Sequence, residues 1–170
     1  MAISAKMEAA LNAQINAEFY SAYLYLAMSC QAQDLRLKGV ANWFYCQYQE
    51  ENAHAMGLLN YLQERGGAVV LEAIEKPQTK WESVVAMFQN TCEHEAHVTS
   101  LIHNLVSLAT EEKDFAAIQF LNWYVKEQVE EEAAAEDLLS DMQLASNVPG
   151  ALLMLDRELA ARTFTAPVIG

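Results

Sequence analysis

The sequence predicts an all-α protein: a four-helix bundle with one long crossover plus a short fifth C-terminal helix. Three observations predict it. Apolar residues recur at three- and four-residue steps from Ile3 to Gln143, the period of a helix with one buried stripe. Only six Gly and three Pro punctuate 170 residues, too few turn formers for an all-β chain. The breaks between periodic segments are unequal, one long among short ones, and that inequality sets the topology.

The first helix runs from about Ser4, a natural N-cap, to about Gln33. Asp34–Lys38 is a short connection, and a second helix follows from about Gly39 to Arg65, stopped by Gly66-Gly67. Gly67 to Thr79, with Pro77, reads as an extended connection. A third helix covers about Lys80 to Thr110, Glu111–Asp114 is a turn, and a fourth helix runs to about Gln143. Asn147, Pro149 and Gly150 then open a short fifth helix that ends near Arg162, ahead of a tail over 163–170. The whole of 1–170 reads as one domain, with the bundle over about 4–143 and the fifth helix over about 148–162.

Short links make helices one and two antiparallel neighbours, and likewise three and four. A helix the length of the second is roughly 40 Å long. The extended connection after it can reach ~43–47 Å. It is therefore long enough to travel the length of the bundle and leave helices two and three parallel, although a slack loop on one side would serve a simple up-and-down bundle too.

Charge narrows the functional classes. There are 23 acidic and 10 basic side chains, for a formal net charge of -13 and a pI near 4.6. Nucleic acid and anionic membrane are poor partners for such a chain, while cations are good ones. At 53% hydrophobic residues it is too apolar for a disordered acidic tail. Ten of the 23 acids fall between Glu111 and Asp141, against Lys113 and Lys126 alone. Most of these belong to a solvated helix face. Uncharged runs such as Phe19–Gln33 and Ala96–Thr110 carry several polar groups and are too short to span a bilayer. Met1 to Leu11 lacks the apolar core of a signal peptide, and Cys30, Cys46 and Cys92 are odd in number and widely spaced. The expectation is a cytoplasmic protein with reduced thiols.

Each long helix has an inward seam, and a carboxylate interrupts every one. The seams are Met7, Leu11, Ile15, Glu18, Ala22 and Tyr25; then Val40, Phe44, Gln47, Glu51, His54, Leu58 and Tyr61. The third helix gives Val84, Phe88, Thr91, Glu95, Val98, Ile102 and Leu105. The fourth gives Ala117, Leu121, Tyr124, Gln128, Glu131, Ala135 and Leu138. Counted from the helix ends, Glu18, Glu51, Glu95 and Glu131 lie at depths that agree within roughly 8 Å. No Lys or Arg occupies any of the four seams.

Four buried carboxylates without counter-charge would be costly or would hold protons. Two divalent cations remove the problem, with about +4 against about -4. Glu51 and His54, at i and i+3, aim at one spot. An oxygen-rich set with a single imidazole suits iron or manganese better than structural zinc. One mid-helix Glu, or one Glu-x-x-His, is commonplace on a solvated face; four seams broken at one level are a specific pattern.

These residues resemble the ferritins, most closely the haem-free bacterial ferritins. The motifs that carry the resemblance are NAEFYSAYLY around Glu18, QEENAH around Glu51, HEAH around Glu95 and FLNWYVKEQVEEE around Glu131, and it extends to about Arg162. It implies the ferritin-like bundle, a diiron ferroxidase centre inside each subunit, a homo-oligomeric hollow shell of about 24 subunits, and a ferric mineral within. Glu18, Glu51 and His54 would be the first iron site. Glu51 as bridge, Glu95 and Glu131 would be the second, with Gln128 close by. The resemblance assigns Tyr25 beside the pair, where it could hydrogen-bond a ligand and give up an electron, though a seam tyrosine is also ordinary core. Trp123 is similar. Glu50, Glu127 and Glu130, with Glu131, match a third iron site facing the shell interior; they read equally as interior acids that attract cations. His94 and His97 fit packing or surface better than ligation, and Glu111, Glu112 and Asp114 are candidates for acidic channels.

Departures mark the subfamily. The fourth helix has Glu127-Gln-Val-Glu130 where bacterioferritins repeat Glu-x-x-His, and position 52 is Asn where they carry the haem-ligating Met. The resemblance therefore argues against haem at that site and leaves Met56 and Met28 open. Rubrerythrins would need CxxC pairs, which are absent from the sequence. The implied function is oxidation of Fe(II) by dioxygen or hydrogen peroxide, followed by storage. The alternatives are a diiron oxidoreductase not dedicated to storage, and a non-catalytic storage subunit. The tail after Arg162 has no counterpart in this reading.

Overall fold

Why the chain folds as it does is visible in a computed structural model that describes residues 3–148 and 150–169. Five helices form: α1 (Ala5–Asp34), α2 (Lys38–Glu64), α3 (Val84–Glu111), α4 (Phe115–Ser146) and α5 (Ala151–Leu159), with no strand among the described residues. Ser4 caps α1 by accepting from the Met7 amide, Ser83 caps α3 through the Ala86 amide, and Asp114 caps α4 through the Ala117 amide. Gly66, with a φ of 76°, ends α2 where the sequence places its stop. Pro149, which the sequence assigns to the opening of the fifth helix, lies outside the described residues.

The third helix starts later than its periodicity suggests, at Val84 rather than near Lys80. Trp81 is already committed to the crossover: its amide donates to Gln31 Oε1 and its carbonyl accepts from Gln31 Nε2, both at 2.8 Å. The Ser83 hydroxyl then supplies the next cap. The fourth helix runs past Gln143 to Ser146, and the fifth stops at Leu159, short of Arg162.

The crossover is anchored along α1 for most of its length. The Ala68 amide donates to Glu8 Oε2 at 3.0 Å, Asn12 bridges the Ala68 carbonyl and the Val70 amide, and Asn16 reaches the Glu72 and Ala73 carbonyls. Gln31 holds its far end at Trp81. From Glu8 to Gln31 is roughly 35 Å of helix. The connection therefore traverses the bundle, α2 and α3 run parallel, and the slack-loop arrangement is excluded. Helix α1 packs on α2 and α3, and α3 packs on α4.

All the seam residues named from the sequence are buried, except Leu138, which is half-buried. They form two apolar clusters rather than one. Phe44, Phe88, Met28 and Met142 lie in the first, and Met7, Leu11, Leu58, Ile102 and Leu121 in the second. The layer between them holds Glu18, Glu51, Glu95 and Glu131. The carboxylates thus divide the core, and hydrophobic burial above and below it supplies the stability that the layer costs.

Helix α5 docks on α2 and α4. Leu37, at the N-cap of α2, makes no side-chain cap. Asp156 of α5 supplies one from the other end of the chain: its Oδ1 accepts from the Gly39 and Val40 amides at 2.8 and 2.9 Å. Only glycine permits this approach, because a Cβ on residue 39 would sit 1.5 Å from the Asp156 carbonyl oxygen.

Candidate metal centre

Four helices deliver the polar layer. Glu18, Glu51, His54 and Glu95 are each no more than 2% exposed, and Glu131 is 8% exposed. One ligand atom each from Glu18, Glu51 and His54 lie within 4.8 Å of one another. A second group, sharing His54, joins Glu127 and Glu131 by the same measure. Glu95 falls in neither group. Its Oε1 accepts from the buried Tyr25 hydroxyl and its Oε2 from Gln128 Nε2 at 3.1 Å.

Electrostatics bind the layer together. Burial pushes the Glu51 carboxyl well above its usual range, and the charges of Glu95, Glu18 and Glu131 add to the effect. Glu95 is raised to about 7 by burial, against the opposing hydrogen bonds from Tyr25 and Gln128. Glu131 is raised to about 8 by burial and by Glu95, opposed by a hydrogen bond from Gln47. Tyr25 is pushed up by its own burial and by Glu95 and Glu51, so it stays a hydroxyl donor. At neutral pH these acids share protons among themselves.

Two atoms in the layer test whether it suits a metal. Glu51 Oε2 and His54 Nε2 are buried and have no hydrogen-bond partner. The Glu51 oxygen is 3.6 Å from His54 Nδ1, and His54 Nε2 is 4.0 Å from Glu127 Oε1. Orphaned buried donors and acceptors are rare and costly. An oxygen and an imidazole nitrogen, aimed into a pocket of mutually repelling carboxylates, fit a divalent cation that accepts both. His54 is fixed from behind by Tyr124, whose hydroxyl donates to the His54 carbonyl at 2.8 Å, and its ring meets Trp123 edge-on at 5.5 Å. Gly57 makes room for this, since a Cβ there would lie 2.6 Å from the Tyr124 hydroxyl oxygen.

The remaining sequence candidates are placed differently. Glu50 is ion-paired with Arg162 at 2.6 Å, and Glu130 is an exposed partner of Lys126 at 3.4 Å. Neither joins the two groups, whereas Glu127, with its side chain 27% exposed, joins the second. His94 contacts Ser21 at 2.7 Å and meets the Tyr25 ring edge-on; burial lowers it to about 4, so it is a neutral packing residue. Asp114 is committed to Arg65 and to the α4 cap, and Glu112 accepts from Ser4. Met28 is wholly buried beside Thr91, Met56 is exposed, and the Asn52 amide donates to the Tyr48 carbonyl.

Three residues that hold the layer escape the sequence reading. Gln14 donates to Glu18 Oε1 at 2.8 Å, and Gln47, named only as a seam residue, donates to Glu131 Oε2 at 2.9 Å. For Gln14 the signal is an amide four residues before a seam carboxylate; for Gln47 the partner lies on α4, 84 positions away, and only helix docking reveals it. Arg162 offers no such signal, because only the docking of α5 brings it to α2.

Known proteins are similar to this chain in sequence and fold. The sequence model of the ferritin-like domain matches residues 8–145. A bacterial non-heme ferritin of Staphylococcus saprophyticus is 38% identical over 155 residues, covering 91% of this chain and 93% of that protein. One from Staphylococcus aureus is 35% identical over 162 residues, covering 95% and 98%. Among solved structures, a closed form of the Archaeoglobus fulgidus ferritin engineered by site-directed mutagenesis is 52% identical with a TM-score of 0.95, over 96% of this chain and 100% of that one. The open pore ferritin of the same archaeon is 52% identical with a TM-score of 0.93, over 95% and 98%.

Proposed function

Because the chain belongs to the ferritin family, we propose that it stores iron, and that it oxidises Fe(II) within its own bundle before storage. The observation that carries this reading is the pair of orphaned buried atoms, Glu51 Oε2 and His54 Nε2, inside a cluster of carboxylates. Two ferrous ions are the substrate. Glu18, Glu51 and His54 take the first; Glu51, Glu95 and Glu131 take the second, with Gln128 hydrogen-bonded to Glu95 and Tyr25 donating to the same carboxylate. The carboxylates surrender their shared protons as iron binds.

Each Fe(II) gives one electron to the oxidant. Dioxygen receives two electrons and two protons and leaves as hydrogen peroxide; hydrogen peroxide, if it is the oxidant, leaves as two waters after taking the same number. Before oxidation the charges of metal and ligands nearly cancel. Afterwards the ferric pair carries about two units of excess positive charge, which favours hydrolysis and departure of the product. Glu127 lies on the more open side of His54, and with Glu130 and Glu131 it provides an acidic face that draws cations. The ferric product collects in a homo-oligomeric shell of about 24 single-domain subunits. No helix among the described residues is long and apolar enough to cross a membrane, and the proposed setting is the cytoplasm.

The test is to load apoprotein with Fe(II) without oxygen, admit oxygen, and follow ferric absorbance together with native mass. Fast oxidation that saturates near about two irons per chain, lost in Glu51→Ala, in a particle of about 24 chains, is the expected result. A stoichiometry indifferent to Glu51→Ala, or a stable monomer, overturns it.

A further inference from the structure

Residues 163–169, which follow α5, do not leave the bundle. Their start is fixed on α2 by polar contacts. Asn42 Nδ2 donates to the Leu159 and Arg162 carbonyls at 3.2 and 2.9 Å, and Cys46 Sγ lies 3.8 Å from the same Arg162 carbonyl. The Arg162 guanidinium stands over the Trp43 ring, its Cζ 4.9 Å from the centroid, and Nη2 donates to Glu50 Oε2 at 2.6 Å. The far end is fixed by apolar contact alone. Ile169 covers Gly57, where a Cβ would lie 2.8 Å from Ile169 Cδ1, and it packs on the second apolar cluster. Pro167 and Ile169 also face Ala53 across a shallow cavity.

Trp43, Cys46, Glu50, Ala53 and Gly57 succeed one another at steps of three and four, so the tail follows a single stripe of α2. That stripe lies one position behind the inward seam of Phe44, Gln47, Glu51, His54 and Leu58. From Cys46 to Gly57 is roughly 16 Å of helix, and the chain from Arg162 to Ile169 can reach ~23 Å. The tail spans its two anchors without secondary structure of its own, and among the described residues no backbone–backbone hydrogen bond forms beyond Arg162. It is a strap, held firmly at one end and lightly at the other.

The strap borders the most open side of the polar layer. Glu18, Glu51, His54 and Glu95 are at most 2% exposed, whereas the Glu127 side chain, 4.0 Å from His54 Nε2, is 27% exposed. Arg162 reaches Glu50, whose charge is felt by Glu127, and Ile169 sits at Gly57, against which the Tyr124 hydroxyl also packs. Yet none of the side chains in 163–169 is a carboxylate, an imidazole or a thiol. Moving the strap changes access to the layer and leaves its donor atoms as they were.

We propose that residues 163–169 are a strap that governs how fast metal ions cross the α2/α4 face of the bundle, without contributing to how tightly they are held. The proposal rests on the metal-centre reading above. A barrier that adds no ligand alters entry and departure by the same factor, so rates change while the equilibrium does not.

Stopped-flow mixing of the full-length apoprotein with Co(II), without oxygen, reads uptake through visible d–d absorption. A chase with excess Zn(II) reads release, and equilibrium dialysis reads affinity. Half-burial of an isoleucine is worth about tenfold in an equilibrium between closed and open strap. Ile169→Ser should therefore speed uptake and release alike by up to about tenfold with affinity unchanged, and Phe164→Ser/Ile169→Ser by more. Ile169→Val, which keeps an apolar contact on Gly57, should stay near the native rates. Unchanged rates in both serine variants overturn the proposal. So does faster release with unchanged uptake and weaker binding, which would make Ile169 a support for His54 rather than part of a barrier. Co(II) binding that survives Glu51→Ala in the native background overturns the metal-centre reading instead, so the two failures are distinguishable.

Discussion

The two sides of the polar layer are built differently. On the α1/α3 side, neutral donors hold the carboxylates: Gln14 on Glu18, and Tyr25 and Gln128 on the two oxygens of Glu95. On the α2 side, by contrast, Glu51 and His54 keep orphaned atoms, although Gln47 of the same helix donates to Glu131 of α4. One side is positioned before any metal arrives. The other is left unsatisfied until it does. Holding half of the ligands lowers the entropy lost on binding, and leaving the rest unpaired avoids hydrogen bonds that a metal would have to displace.

This contrast can be broken most severely at Glu51. Glu51→Gln removes a buried acid that repels three others, so the apoprotein should melt higher than the native chain, while affinity for both metal ions falls by at least about 100-fold. Differential scanning with and without Co(II) reads both effects. An apoprotein that melts lower would contradict the repulsion argument.

Next in size is the dependence on pH. Glu95 and Glu131 have folded-state values of about 7 and about 8, raised above the usual 4.5. The folded chain therefore holds more protons than the unfolded chain between those limits. Apoprotein stability should be greatest near pH 4.5, fall as pH rises, and level off above about pH 8. The metal-loaded protein should show the opposite trend over that range, because binding requires the carboxylates to lose their protons. Urea midpoints measured across pH 5 to 8 in both states would check the crossing.

A smaller effect is expected on the anchored side. Tyr25→Phe removes a donor that holds the Glu95 proton affinity down, so Glu95 should titrate higher and metal affinity near pH 7 should fall by about tenfold or less. The deficit should shrink at pH 9, where Glu95 is ionised in either case. Smallest is the control at the far end of the bundle. The ion pair between Arg65 and Asp114, at 2.8 Å, joins the end of α2 to the α3–α4 turn. Arg65→Ala should cost about 1 kcal/mol and leave Co(II) stoichiometry untouched.

Much of this was legible in the residues because helical seams are local. Steps of three and four residues determine which side chains share a stripe, whatever the stripe later packs against. That is why Glu18, Glu51, Glu95 and Glu131 could be set at one depth by counting. Helix boundaries were less legible: the start of α3 turned on whether Trp81 served the helix or the crossover, and a glutamine fifty positions away settled it. The sequence grouped Glu50 with Glu127 and Glu130, which lie on neighbouring helical positions. In the folded chain each finds a different partner, while the charges of Glu50 and Glu130 still reach Glu127.

By itself, then, the sequence determined the helical class, the four inward stripes and the acidic layer that interrupts them, because periodicity and residue chemistry are properties of short segments. Only the tertiary structure decided that the crossover is anchored along α1, that Asp156 caps α2, and that Arg162 comes to rest against Gln47 and Glu50. Those contacts join residues fifty or more positions apart, and long-range pairing is set by how whole helices dock rather than by any local pattern.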